Sequence, residues 1–179
     1  MIIQVSKFNS GVLVNGIDLG FIGSMVERVR EDPEKGKRTI KANTVWLGGT
    51  RSESTIRDFK YIVDEPWGNV QGGAQPGELV LAALGSCLVV GYAFDGALHG
   101  VELKKLEIDV EGDSNGTKFM QVPTDTLPNL TTARIKVYIE SDASQEVLEE
   151  MHKRVISISP VSSTLTNIVN LEFDLKIGS

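Results

Sequence analysis

The chain is poor in the groups that most protein chemistry relies on. It has one cysteine, Cys87, in 179 residues. A single thiol excludes an intrachain disulfide and suits a reducing compartment. The two histidines, His99 and His152, are far apart in sequence and have no supporting ligands, which argues against a zinc site. The net charge is −6. No cluster of Lys and Arg and no basic stripe interleaved with aromatics offsets it, so nucleic acid is not an expected partner. The first residues, Met1-Ile-Ile-Gln-Val-Ser-Lys, lack a basic segment followed by an apolar one, so no signal peptide is expected. The uncharged run over residues 79–94 is shorter than the roughly 18–20 apolar residues that span a bilayer. It reads as a buried helix, with no membrane partner and a cytoplasmic location by default. Gly48-Gly49 is a turn, not a phosphate loop, because no helix with a suitably spaced lysine follows. Internal repeats, low-complexity tracts and linkers are lacking, and nothing implies a cofactor.

What is there is ordinary for a soluble globular protein: 41% hydrophobic and 23% charged residues. The length suits one domain over residues 1–179, with 1–36 as an N-terminal extension that carries a helix. Residues 2–8 and 11–14 alternate like short strands, and Asn15-Gly16 marks a turn. Asp18 is placed to cap a helix running to about Glu31, with Leu19, Ile22, Met25, Val26 and Val29 near helical spacing. Strands are expected over 38–46 and 53–63, paired as a hairpin, with a Gly- and Pro-rich loop over 64–75. A long helix follows over about 77–98, ending at His99 with Gly100 in the left-handed cap position. Strands over 103–112 and 133–141 each place alternate apolar residues on one face. An amphipathic helix spans 145–156, and Ser159-Pro160 breaks it. A short helix over 162–169 and a closing strand over 171–177 complete an α+β chain with antiparallel strands. The long helix is apolar on every side and needs cover all round. One sheet covers one face, so a second copy of the chain is the expected cover, as an intimate homodimer.

Several motifs then converge. Pro76-Gly-Glu-Leu-Val-Leu-Ala-Ala-Leu-Gly-Ser-Cys87 is followed by His99-Gly100-Val101-Glu102-Leu103 and by a strand ending Glu111-Gly112-Asp113. Downstream stands Ile158-Ser159-Pro160-Val161-Ser162-Ser163-Thr164-Leu165. In this order and spacing the chain resembles the OsmC/Ohr family. Trp46-Leu47-Gly48-Gly49-Thr50-Arg51 and Asp64-Glu65-Pro66 are similar to a subgroup with an extra N-terminal helix. The resemblance implies antiparallel sheets wrapped around a buried central helix, an intertwined homodimer and sites at the subunit interface. It implies thiol peroxidase chemistry on organic hydroperoxides. In that chemistry one cysteine on the central helix attacks, and a second, just before a Pro-Val pair, resolves. An arginine from the early hairpin and a glutamate beside the proline that opens the helix assist.

Position by position, Cys87 matches the attacking cysteine and Ser159 holds the resolving position. Arg51 is the candidate arginine, with Arg38 and Arg57 competing. Gly77 stands where the family has its glutamate, and Glu78 follows one residue later, about 100° around a helix. A thiolate is the nucleophile in this chemistry, and a nearby cation favours it. Cys87 is about three turns into its helix, where the helix dipole contributes little. A serine cannot close a disulfide, so an external thiol must reduce the sulfenic acid formed on attack.

Two functions remain open. In one, the protein is a redox and stress-response protein, at most a single-cysteine peroxidase, with Cys87 catalytic and Arg51 and Glu78 assisting. In the other, it is a non-catalytic dimer that binds an apolar small molecule at the interface. On that reading Cys87 is a small core residue, Arg51 a solvated turn residue and Glu78 a helix N-terminal charge. Trp46 and Trp67 are candidates to line a pocket or to pack. The two histidines read as residues near helix C-termini. A Cys87–His99 dyad within one chain fails because the two are about 18 Å apart along the helix.

Overall fold

A computed structural model describes residues 11–67, 72–167 and 169–178. The expected strand over residues 2–8 lies outside them. The fold is α+β, with small antiparallel sheets and four α-helices among the described residues. Strands β1 (Leu13–Val14) and β2 (Ile17–Asp18) form a hairpin around Asn15-Gly16. Both turn residues have positive φ, 52° and 75°, as a two-residue turn matched to strand twist requires. The Asp18 side chain accepts from the amide of Phe21 and starts helix α1 (Leu19–Glu31). A short 3-10 turn, Pro33–Gly36, follows.

The middle region differs from the expected hairpin. Its strands are β3 (Asn43–Gly48), β4 (Arg51–Ile56) and β5 (Phe59–Val63), in the order β3-β4-β5. The stretch read as one strand over 53–63 is folded at Arg57-Asp58, where Arg57 adopts φ 55° and Ile56 pairs with Phe59. A polar pair at a turn outweighed the strand-forming residues on either side.

Helix α2 (Pro76–His99) is closed by Gly100 at φ 71°. At 24 residues it is longer than the uncharged run within it, and by length and composition alone it is long enough to cross a bilayer. Within the protomer only one side of it is buried, so the cover expected all round is not supplied by this copy. Leu84, Leu88 and Tyr92 repeat at i, i+4, i+8 and form one cluster with Met151 and Val155 of α3 (Gln145–Ile158). Strands β6 (Lys105–Ser114) and β7 (Leu130–Glu140) supply the other wall. Leu106, Ile108 and Val110 pair with Ile139, Val137 and Ile135 on the face turned to the cluster. Val90, on the side of α2 away from that stripe, stays 66% exposed, and Val80 and Val89 are partly exposed beside it.

Helices α2 and α3 run antiparallel, with Gly91 beside Val155. A Cβ on Gly91 would stand 2.9 Å from Val155 Cγ1, so the missing side chain lets the helices approach closely. Ser159 ends α3 and caps α4 (Pro160–Thr166), as Ser159-Pro160 foretold. The closing strand does not form. The described residues from 169 onward pair with no strand, and Leu171, Phe173, Leu175 and Ile177 are 70–90% exposed. Their period-two pattern suits a sheet, but no edge among the described residues takes them.

Candidate functional site

Cys87 lies on the flank of α2 next to the buried face of Leu84 and Leu88, and it is half-buried. Its sulfur stands 3.4 Å from Ser159 Oγ, a residue 72 positions further along the chain. The antiparallel α2–α3 pair makes this meeting possible. Moving up α2 from Cys87 corresponds to moving down α3 from Ser159. The two positions named from the motifs are therefore neighbours in space. Ser159 is buried, and its Oγ accepts from Ser162 N at 3.3 Å and from Ser162 Oγ at 2.9 Å. Among the described residues, Ser159 is the one hydrogen-bonding partner of the Cys87 sulfur.

The other named residues lie elsewhere in the protomer. Glu78 is exposed and belongs to the capping box of α2: its carboxylate accepts from the amide of Gln75 at 2.8 Å. Arg51 opens β4 and lies against the loop that leads to α2. A Cβ on Gly72 would come within 2.7 Å of Arg51 Nη1. Beside it, the buried Asp64 carboxylate accepts from the Thr50 hydroxyl at 2.8 Å and from the amides of Glu65 and Gly72. The Thr50 bond, these amides and the charge of Arg51 hold Asp64 below the usual carboxylate range against the opposing effect of burial. Arg57 projects from its turn over the Phe59 ring, 5.3 Å from the centroid. Arg38 is exposed before β3. Trp46 is exposed, with its indole donating to the Gly49 carbonyl. Trp67 packs against Phe119 at 5.5 Å between ring centroids.

A second polar group on the α2–α3 interface escaped the sequence reading. Asp95 is 4% exposed and receives two arms of Arg154: Nε at 3.0 Å and Nη2 at 2.7 Å. Hydrogen bonding to Asp95 raises the proton affinity of Arg154 further. His99, at the end of α2 as expected, contacts Asp95 through its backbone carbonyl at 2.8 Å and its carboxylate at 3.4 Å. His152 is not near a helix end. It sits in the middle of α3, and its Nδ1 meets the hydroxyl of fully buried Tyr92. The available signal was Asp95 itself. A lone carboxylate within an otherwise apolar helix requires a buried cation, and α3 was the amphipathic neighbour able to supply one.

No curated protein sequence matches the chain. Solved structures do share its fold. The OsmC-like protein of Mycoplasma pneumoniae is 18% identical, with 74% of this chain and 90% of that one covered at a TM-score of 0.65. An organic hydroperoxide resistance protein OsmC from Legionella pneumophila is 16% identical, with 72% and 89% covered at 0.56. The organic hydroperoxide resistance protein OhrB of Bacillus subtilis is 16% identical, with 78% and 98% covered at 0.50. At these identities the likeness is one of fold. The family model described as OsmC-like protein matches residues 68–174, from just before α2 through α4 to the C-terminal segment. That match spans both Cys87 and Ser159, the pair the motifs singled out, and the chain belongs to the OsmC-like protein family.

Proposed function

We propose that this protein is a thiol-dependent redox protein of the stress-response type, a single-cysteine peroxidase whose only reactive thiol is Cys87. The observation that carries this reading is the 3.4 Å approach of Cys87 Sγ to Ser159 Oγ. The positions matched to attacking and resolving cysteines lie side by side, with the resolving sulfur replaced by oxygen. The Cys87 thiolate attacks one oxygen of an organic hydroperoxide, and the O–O bond breaks. Sulfur is oxidised to a sulfenic acid and the peroxide is reduced to an alcohol. Ser159 cannot displace the hydroxyl to form a disulfide. An external thiol does so instead, releasing water and leaving a mixed disulfide that a second thiol cleaves to regenerate Cys87.

The working form in this reading is a homodimer. Among the described residues, apolar side chains face solvent on α2 (Val89, Val90), on β3 (Val45, Trp46, Leu47) and in the C-terminal segment from Leu171 to Ile177. A second copy covers them and brings hairpin residues, Arg51 among them, to the other copy's Cys87.

A second reading keeps the same dimer without chemistry. The engagement of Glu78 in the helix cap favours it, because that carboxylate is then not free to orient an arginine. The site binds an apolar small molecule in this case. Consumption of cumene hydroperoxide with dithiothreitol as reductant separates the two. The peroxidase reading expects turnover by the wild type and none by Cys87→Ser. Equal background rates in both proteins end it.

A further inference from the structure

We infer that Ser159 donates its hydroxyl proton to the Cys87 sulfur, and that Ser162 is the positioning residue that enforces this direction. The inference rests on the reading of Cys87 as the reactive thiol and assigns a role to the residue that replaced the second one. A serine hydroxyl has one proton to donate and two lone pairs to accept with. Both lone pairs of Ser159 Oγ are engaged by Ser162, one by its backbone N–H at 3.3 Å and one by its hydroxyl at 2.9 Å. If Cys87 donated as well, a third donor would crowd an oxygen with no acceptor site left. The remaining arrangement has the Ser159 proton aimed at sulfur, 3.4 Å away. Ser159 is only 5% exposed, so water does not readily compete for that proton.

The consequence is chemical. Hydrogen bonding to the charged form of a group favours that form. A donor on sulfur thus favours the thiolate over the thiol and makes Cys87 more reactive toward electrophiles. The position that resolves the oxidised cysteine elsewhere in the family here assists its first step. This also supplies part of the activation that no cation among the described residues of the same protomer provides by contact.

The test reads thiol reactivity directly, without any peroxide. The rate of alkylation of Cys87 by iodoacetamide is measured from pH 6 to 10 in wild type, Ser159→Ala, Ser162→Ala and Ser159→Thr. Near neutral pH, Ser159→Ala is expected to slow alkylation by about three- to tenfold: losing one hydrogen bond to a charged group lowers the thiolate population by more than about tenfold, and the higher intrinsic nucleophilicity of the less stabilised thiolate offsets about half of this on a logarithmic scale. Its pH–rate curve moves to higher pH, a change that a merely structural role would not produce. Ser162→Ala leaves the Ser159 hydroxyl in place but frees one of its acceptor sites, and gives a smaller shift in the same direction. Ser159→Thr, which returns a hydroxyl, recovers most of the loss. Unchanged or faster alkylation in Ser159→Ala overturns the inference. If that variant does not fold, an unshifted curve in Ser162→Ala overturns it instead. A shifted curve in a protein that consumes no hydroperoxide leaves the donor assignment standing and removes the peroxidase reading.

Discussion

Replacing Ser159 by cysteine puts the proposed site to its most direct test. The introduced sulfur starts from an oxygen 3.4 Å from Cys87 Sγ, and a disulfide requires about 2.05 Å. The gap of somewhat over 1 Å is within reach of side-chain rotation, because Ser159 sits at the junction of two helices rather than inside one. The bond would close a loop of 72 residues. Loop-closure entropy for that length stabilises by about 4 kcal/mol in the chain-entropy model. Against this, the hydroxyl that caps α4 is lost, at a cost of about 1 kcal/mol. The net gain of roughly 3 kcal/mol raises Tm by about 6–12 °C for a chain of this size. The expected result on adding one equivalent of hydroperoxide to S159C is loss of both titratable thiols, a mass lower by two hydrogens, and a Tm rise that dithiothreitol reverses. If both thiols stay titratable after oxidation, the two positions are not neighbours, and the pairing on which the proposed function stands is wrong.

Three further predictions follow from the α2–α3 interface and the exposed face of α2. Arg154→Ala takes the guanidinium from the buried Asp95 carboxylate and leaves only His99 beside it, and urea denaturation should show a loss of about 1.5–3 kcal/mol. Burial pushes the Tyr92 hydroxyl up to about 12, whereas a tyrosine in the unfolded chain ionises near 10. Above pH 10 the unfolded state therefore holds fewer protons than the folded one, and stability falls as pH rises toward 12, by at most about 2–3 kcal/mol. Tyr92→Phe should remove that part of the alkaline loss in pH-dependent denaturation. Val90→Asp, on the exposed apolar face of α2, should turn a dimer into a monomer in sedimentation equilibrium with helix content retained; a wild type that is itself monomeric refutes the expected assembly.

Helix limits and the identity of the key pair were legible from residues close together in the chain. Asp18 announces a helix start by its side-chain oxygen, Gly100 a helix end by its left-handed backbone, and Ser159-Pro160 a break. These are interactions between residues a few positions apart, so they can be read from spacing. Cys87 and Ser159 were legible through motif order. What spacing does not contain is which partners residues distant in sequence will find. The turn at Arg57-Asp58 made three strands of an expected two, because pairing between Ile56 and Phe59 completes a sheet that neither segment forms alone. The closing strand stayed unpaired, because a strand exists only with a partner edge. The tertiary structure alone decided that α3 lies antiparallel against α2, at a distance allowed by Gly91. That one packing choice brings Ser159 to Cys87, His152 to Tyr92 and Arg154 to Asp95.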